Sequence, residues 1–204
     1  MAASKVLIGT PNRGDIKFDT HMSLLAALSI ATYDLVALGQ AGPVVDFNRN
    51  VICHWALGHE VTHICFMDTD MVFPSTTINQ LLALAKPVVG VASRKKKLPR
   101  QYTIEVDEPN GPRNISDEEL PAEPFSRING HPILVGTGIM LIDLQQARER
   151  IPKPWFKFNT FWEEGKEPGY TGEDLYFCRK TWAAGLEVWC DPTIKIGHIG
   201  DFQY

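Results

Sequence analysis

The stretch of sequence that decides the fold is THICFMDTD, residues 62–70. Its apolar run predicts a buried β-strand, and two carboxylates follow directly where that strand ends. Residues i and i+2 of an extended chain point to the same side, so Asp68 and Asp70 present their carboxylates together. A hard divalent cation relieves the repulsion between close carboxylates and leaves positions open for phosphate oxygens. The alternative is a purely structural role, in which Asp70 caps the following turn and Asp68 is solvated at the end of the strand.

Strands and helices alternate on both sides of this stretch. Strands are predicted at 6–9, 35–38 and 87–92, and helices at about 20–33, 46–58 and 74–85. The apolar face of the second helix leaves Arg49 outside it. This rhythm predicts an α/β protein with a mostly parallel sheet covered on both faces. The turn at 10–14 follows the first strand, where open α/β sheets bind ligands.

The second half of the chain begins with a less regular segment. Residues 93–132 are rich in charge, proline and glycine, which predicts a long excursion with a hairpin near 102–106. A strand over 133–142, interrupted by Gly136, Thr137 and Gly138, is predicted next, followed by a short helix near 145–150. A helix over 173–184, ended by Gly185, then leads into strands at 186–190 and 193–196.

Composition excludes several classes of protein. The chain has 204 residues with ordinary globular composition and a net charge of −4, which argues against binding nucleic acid through overall charge. The longest apolar segment is too short to span a bilayer, and no signal peptide is recognisable. The four cysteines contain no C-x-x-C pair and are predicted to be buried free thiols. We therefore expect one cytoplasmic domain over residues 1–204.

Three further residues are candidates for chemistry. His198 lies between two glycines, which permit close backbone approach, and neutral imidazole is a good transition-metal ligand. If it joins Asp68 and Asp70, the mixed ligands favour Mn²⁺ over Mg²⁺. Glu173 and Asp174 begin a helix, where carboxylates also complement the helix dipole, but either is suited to deprotonating a hydroxyl.

Two other groups of residues are suited to binding. A basic run, Arg94, Lys95, Lys96 and Lys97 with Arg100 beyond it, follows a predicted strand and is either a phosphate contact or a solvated loop. An aromatic cluster is suited to stacking on a sugar or a base, although part of it is expected in the core. Its members are Trp155, Phe156, Phe158, Phe161 and Trp162.

These pieces, in this order, resemble the GT-A glycosyltransferases, especially small family 2-like enzymes of bacteria and phages. The resemblance covers nearly the whole chain. The motifs that carry it are LIGTP (7–11), NRN (48–50), FMDTD (66–70), VGTGIMLI (135–142), GED (172–174) and GH (197–198). It implies one Rossmann-like, nucleotide-diphospho-sugar transferase domain. Residues 1–92 would form the nucleotide-sugar half, 93–132 a variable excursion, and 133–204 the acceptor and catalytic half.

The resemblance also implies roles for particular residues. Asp68 and Asp70 would bind the donor diphosphate through Mn²⁺ or Mg²⁺, with His198 completing the metal shell. Asp174 would be the base of an inverting transfer, with Glu173 as a neighbouring acceptor contact. The other donor contacts implied by the resemblance are Thr10, Pro11, Asn12, Arg49, Thr69, Gly136 and Thr137.

The implied donor is a nucleotide-sugar, with a UDP-sugar expected first. The segment 35–40 contains no acidic residue for reading the base, which leaves the nucleobase open. The acceptor is a saccharide, a protein, or a hydroxymethylated base in phage DNA, in which case the protein acts inside a bacterial host. Two rivals remain: a haloacid dehalogenase-like phosphatase with Asp68 as its nucleophile, and a non-catalytic domain that binds sugar or nucleic acid.

Overall fold

The computed structural model describes residues 4–96, 101–161 and 169–200. Its strands are β1 (Lys5–Asn12), β2 (Asp34–Ala41), β3 (His63–Met67), β4 (Met71–Val72), β5 (Val88–Val91), β6 (Ile104–Glu108), β7 (Gly111–Asn114), β8 (Arg127–Ile128), β9 (His131–Val135), β10 (Ile139–Asp143), β11 (Asn159–Phe161), β12 (Gly169–Thr171), β13 (Val188–Asp191) and β14 (Gly197–His198). Its helices are α1 (Phe18–Ser29), α2 (Val45–Leu57), α3 (Thr77–Ala83), α4 (Leu144–Ala147) and α5 (Glu173–Ala183).

The central sheet confirms the predicted fold class. In the described part of the chain it has six strands in the order β13-β5-β10-β3-β1-β2. All neighbouring pairs are parallel except the two made by β10, which runs antiparallel to β3 and β5. Because β1, β2 and β3 are parallel, their carboxyl ends meet at one edge of the sheet, where ligands bind in open α/β folds.

Alternate side chains of the central strands pack into two separate cores, one on each face of the sheet. In β3, Ile64 and Phe66 belong to one core, and Cys65 and Met67 belong to the other. Helix α2 packs so closely on β1 that a Cβ added to Gly9 would lie 2.6 Å from Ile52. A sheet covered on both faces explains why these strands read as continuous apolar runs.

The excursion predicted over 93–132 contributes to a second sheet. Strands β6 and β7 form the expected hairpin, and the four-stranded antiparallel order among the described residues is β7-β6-β9-β8. Ile104, Val106 and Ile133 of this sheet belong to the same core as Ile64 and Phe66. The excursion is therefore built into the hydrophobic core rather than looped out from it.

Several predicted boundaries are wrong. The predicted turn after the first strand is wrong, because Thr10, Pro11 and Asn12 continue β1. They pair with 39–41, so the residues after 38, also predicted as a turn, belong to β2. The interrupted strand over 133–142 is two strands in two different sheets, and 193–196 forms no strand. Helix α1 begins at Phe18, before the predicted start, and ends at Ser29.

Two predictions about composition can be compared with the structure. All four cysteines, Cys53, Cys65, Cys178 and Cys190, are free and buried, as predicted. Within the described ranges, none of the helices has the length and apolar character needed to cross a membrane.

Candidate functional site

A cleft of about 420 Å³ opens at the carboxyl ends of β1, β2 and β3. It lies where the topology of the sheet places a ligand site. Its lining residues are Pro11, Asn12, Arg13, Asp15, Gly42, Pro43, Val45, Asn48, Arg49, Asp68, Thr69, Asp70, Glu173 and His198. Segments that are far apart in sequence, before position 16 and after position 172, thus meet around the two aspartates.

The backbone of residues 68–70 is fixed at every residue. The Asp68 amide donates to the Gly138 carbonyl at 2.9 Å. The Thr69 carbonyl accepts from the Lys17 amide at 2.9 Å and from the Thr20 hydroxyl at 3.0 Å. The Asp70 carbonyl accepts from the amide of residue 199 at 2.7 Å. The two carboxylates are therefore presented by a rigid segment, as a preorganised site requires.

His198 is brought to Asp70 by a short antiparallel pairing. Strand β14 pairs with β4, which places His198 opposite Met71, the residue after Asp70. The His198 Nδ1 lies 3.0 Å from the Arg94 carbonyl oxygen, and its Nε2 lies 3.3 Å from Asp70 Oδ1. A carbonyl can only accept, so Nδ1 carries the hydrogen, and in neutral imidazole Nε2 carries the lone pair. The grouping of His198 with Asp70, predicted from sequence, is thus present.

Arg49 connects the two parts of the site from inside the protein. Its side chain is 3% exposed, although the sequence pattern placed it outside the apolar face of its helix. Its Nη2 donates to Asp68 Oδ1 at 2.8 Å, and its Nη1 pairs with Glu173. The guanidinium also lies 5.8 Å from the centre of the Phe156 ring. The helix start above the sheet edge directs Arg49 at two carboxylates, so the residue is buried with charge partners rather than solvated.

Burial and neighbouring charges perturb the two aspartates in opposite directions. The pKa of Asp68 is raised, mainly by burial and also by the charges of Asp70 and Asp174. Arg49 lowers it but does not outweigh them. Burial also raises the pKa of Asp70, but His198 and Lys96 outweigh it and lower the pKa to about 2. Lys96, from the basic run, pairs directly with Asp70 Oδ2. Asp70 is therefore an anion over the whole neutral range.

A metal ion must fit between groups that already have partners. Among the described residues, no set of three or more His, Cys, Asp or Glu side chains is arranged to hold one. Asp70 Oδ1, however, is buried without a hydrogen-bond partner and faces the lone-pair nitrogen of His198. Carboxylate and imidazole together are ligands that Mn²⁺ accepts. The donor chemistry fits a divalent cation, while Lys96 holds the other oxygen of Asp70.

Glu173 and Asp174 face two different cavities. Glu173 lines the cleft, where it pairs with Arg49, whereas Asp174 lines an adjoining cavity of about 330 Å³. Lys95, Glu105 and Tyr170 also line this second cavity. Burial raises the pKa of Asp174, and Arg49 only partly offsets it. The two carboxylates at the start of α5 thus have different environments.

The remaining predicted donor contacts are divided between the cleft and the interior. Pro11, Asn12 and Thr69 line the cleft. Thr10 is buried in β1 and does not line it. Gly136 and Thr137 do not line it either, because they form the buried crossing between β9 and β10. A Cβ added to Gly136 would lie 2.9 Å from Thr103.

The basic run and the aromatic cluster are also divided. Lys96 reaches Asp70, and Lys95 Nζ donates to Glu105 at 3.2 Å. Trp155 and Phe156 are core residues at 1% exposure, and Phe158 is exposed. The predictions for Lys97, Arg100 and Trp162 fall outside the described residues, and the side chain of Phe161 is not described either.

Sequence reasoning missed a set of cleft residues. Arg13, Asp15, Gly42, Pro43 and Asn48 line the cleft beside the predicted donor contacts. They belong to the segments that follow β1 and β2, and the start of α2. The signal for Arg13, Asp15, Gly42 and Pro43 was positional, because they follow the first two predicted parallel strands, whereas Asn48 lies in the NRN motif but was given no role of its own.

The fold is similar to that of A197 from STIV, with 16% identity over 97% of this chain and 86% of that chain and a TM-score of 0.62. Together with the topology, this supports the GT-A-like α/β fold that the sequence predicted. At this identity the similarity concerns the fold alone.

Two further solved structures align at lower TM-scores. A predicted nucleotide-diphospho-sugar transferase from Desulfovibrio desulfuricans G20 is 10% identical over 94% of this chain and 80% of its own, with a TM-score of 0.47. The inositol-1-phosphate CTP transferase from T. maritima is 11% identical over 97% and 89%, with a TM-score of 0.48. No protein-family model matches the sequence, and no curated protein matches it significantly.

Proposed function

We propose that the chain is a metal-dependent glycosyltransferase that moves a sugar from a nucleotide-diphosphate sugar to an acceptor hydroxyl. The support is the cleft at the carboxyl edge of the sheet, with Asp68, Asp70 and His198 in its wall. A UDP-sugar is the first donor to test, because the resemblance of the sequence implies it.

One observation carries the proposal. Asp70 Oδ1, which is buried and has no hydrogen-bond partner in the described part of the chain, lies 3.3 Å from His198 Nε2. Because Nδ1 donates to the Arg94 carbonyl, both of the facing atoms are acceptors when the imidazole is neutral. Such a pair needs a cation or a proton between its members. A histidine whose other ring nitrogen donates to a backbone carbonyl is the usual form of a metal ligand.

Asp68, Asp70 and His198 would hold Mn²⁺, with Mg²⁺ as the alternative. When bound, the ion supplies positive charge against the diphosphate of the donor and so favours departure of the nucleoside diphosphate. Lys96 pairs with the same carboxylate, so it competes with the cation until it leaves Asp70. The residues that line the cleft beside them, Pro11 and Asn12 among them, would border the nucleotide.

Asp174 is the proposed base. A hydroxyl held in the second cavity would give its proton to the Asp174 carboxylate while its oxygen bonds to the anomeric carbon of the sugar. The bond from that carbon to the diphosphate breaks on the opposite side, which inverts the configuration. The raised pKa of Asp174 supports this role, because a more basic carboxylate accepts a proton more readily.

The site leaves the acceptor open among hydroxyl compounds. A saccharide is the first class to test, and a hydroxymethylated base in phage DNA is the second. The proposed compartment is the cytoplasm, of a bacterial host if the gene belongs to a phage.

The test is a thermal-shift and turnover panel of nucleotide-sugars with and without Mn²⁺, since a ligand that binds the folded state raises its melting temperature. We expect Asp70→Asn to weaken Mn²⁺ binding by about tenfold or more and to abolish turnover. Asp34→Asn, an exposed carboxylate at the opposite end of β2, is the matched control. Full turnover by Asp70→Asn would refute the metal assignment.

The same panel separates the rival functions. Phosphate release from a simple phosphomonoester, lost in Asp68→Asn and without any use of a nucleotide-sugar, would replace the proposal with a phosphatase. Ligand binding without turnover, unaffected by chelation of metal, would replace it with a non-catalytic binding domain.

A further inference from the structure

A separate cavity of about 310 Å³ lies behind His198, at the carboxyl ends of β5 and β13. It is bounded by the segment after β5, the start of the second sheet and the segment after β13. Its lining residues are Ala92, Arg94, Tyr102, Leu120, Pro192, Lys195 and Ile196. None of these lines the cleft or the cavity that contains Asp174.

Of the two terminal nitrogens of the Arg94 guanidinium, only one has a hydrogen-bond partner among the described residues. Its Nη2 donates to the Tyr102 hydroxyl at 3.1 Å and pairs with Asp117 at 3.0 Å. Its Nη1 is buried and has no hydrogen-bond partner among the residues that the structure describes. A buried donor without a partner is rare in folded proteins, and where one occurs a bound ion or ligand often supplies the acceptor. The unused nitrogen therefore indicates a missing acceptor beside Arg94.

The charge of the cavity indicates what that acceptor is. Arg94 and Lys195 both line it, and Lys195 Nζ donates only to a neutral acceptor, the Pro192 carbonyl, at 2.9 Å among its described contacts. Asp117 pairs with Arg94, but its side chain is 58% exposed, and an ion pair so open to water is weak. Two cations around one small cavity favour an anionic ligand.

We propose that this cavity binds a small phosphorylated ligand through Arg94 and Lys195. A guanidinium matches phosphate oxygens with paired hydrogen bonds, and lysine adds a point charge. The volume is at the lower limit of ligand pockets, which run from about 300 to 1,000 Å³, so it suits a phosphate group with a small body rather than a polymer. The site is independent of the proposed transfer reaction.

The position of Arg94 connects this cavity to the cleft. Its side chain lines the cavity, while its carbonyl accepts from His198 Nδ1 at 3.0 Å. A substitution of the side chain leaves that carbonyl in place. Variants at Arg94 therefore test the anion site without removing the backbone bond that orients His198.

The experiment measures ligand binding to the full chain in a low-salt buffer free of phosphate and nucleotide-sugar. Thermal shift and calorimetry are run with inorganic phosphate, with glucose 6-phosphate, and with glucose as the neutral control. We expect both phosphates to raise the melting temperature and glucose to have no effect. Phosphate alone would assign the site to the free ion, and tighter binding of the sugar phosphate would assign it to a phosphorylated metabolite.

Arg94→Gln and Lys195→Gln are the test variants. Each is expected to weaken phosphate binding by about tenfold or more, as the loss of one charge-assisted contact predicts. Lys195 is exposed, so its variant is expected to fold even if Arg94→Gln does not. Arg148→Gln, an exposed arginine at the other edge of the sheet, is the matched control. Equal phosphate affinity in Lys195→Gln and the native chain, or no stabilisation by either phosphate, would overturn the proposal.

Discussion

The buried bridge made by Arg49 gives a sharp prediction about stability. Methionine has a similar length and no charge, so Arg49→Met removes the cation while largely conserving volume. Loss of one partner from a buried ion pair costs about 3–5 kcal/mol, because the remaining charge is stranded. Glu173 is 10% exposed and would be stranded, whereas Asp68 is 33% exposed and can be rehydrated. We therefore expect the lower end, about 3 kcal/mol.

That free energy corresponds to a large shift in melting temperature. For chains of about 150–250 residues, 1 kcal/mol changes Tm by about 2–4 °C, so Arg49→Met should melt about 6–12 °C lower. Urea denaturation followed by circular dichroism gives the free energy of unfolding directly. The double variant Arg49→Met/Glu173→Gln should recover about 1 kcal/mol or more, because it neutralises the stranded carboxylate.

The control for these variants is Arg148→Met, which removes an exposed arginine. It should change the free energy of unfolding by less than about 0.5 kcal/mol. The reasoning would be refuted if Arg49→Met cost less than about 1 kcal/mol, or if adding Glu173→Gln deepened the loss instead of relieving it.

Three other predictions concern charge and exposure. Lys96→Met should tighten Mn²⁺ binding without nucleotide about fivefold, since an exposed pair is worth up to about 1 kcal/mol; unchanged affinity in a spin-resonance titration would contradict its competition for Asp70. Because the folded pKa of Asp174 is raised, acidification should begin to reduce turnover at a pH above about 3.9, the ordinary pKa of aspartate. A pH profile in which turnover falls only below that value would exclude Asp174 as the base. Burial raises the pKa of Cys65 and Cys178 to about 12, so Ellman's reagent should modify these thiols only after denaturation, and modification in native buffer would count against their burial.

The central sheet could be predicted because its strands carry their own signal. Strand β3 is buried on both faces, so it is a continuous apolar run that ends abruptly in charge. The antiparallel strand β10 could not be assigned to its sheet, because periodicity says nothing about partners or direction. Its predicted interruption at Gly136 and Thr137 is the point where the chain leaves one sheet and enters the other.

The site was predictable where it depended on local spacing. Asp68 and Asp70 could be grouped because two residues of extended chain suffice to relate them, and His198 was singled out because it lies between Gly197 and Gly200. The burial of Arg49 could not be predicted from the sequence. Helical periodicity shows which face of a helix is apolar but not which side chains from other segments cover its end. The unpaired Nη1 of Arg94 could not be predicted either, because three distant segments decide which of its nitrogens have partners among the described residues.

The crossing from the second sheet to the central one decides which parts of this protein can be altered. A Cβ at Gly90 would lie 2.5 Å from Val135, so the last residue of β9 occupies the space that this glycine leaves on β5. The excursion packs beside this crossing through Ile104 and Val106, so cutting it out would remove a wall of the core and not an appendage. The turn between β6 and β7 is different, because Pro109 and Asn110 are exposed there. A fluorophore or affinity tag inserted at that turn should be tolerated without disturbing the cleft or the cavity beside Arg94, neither of which is lined by the β6–β7 hairpin.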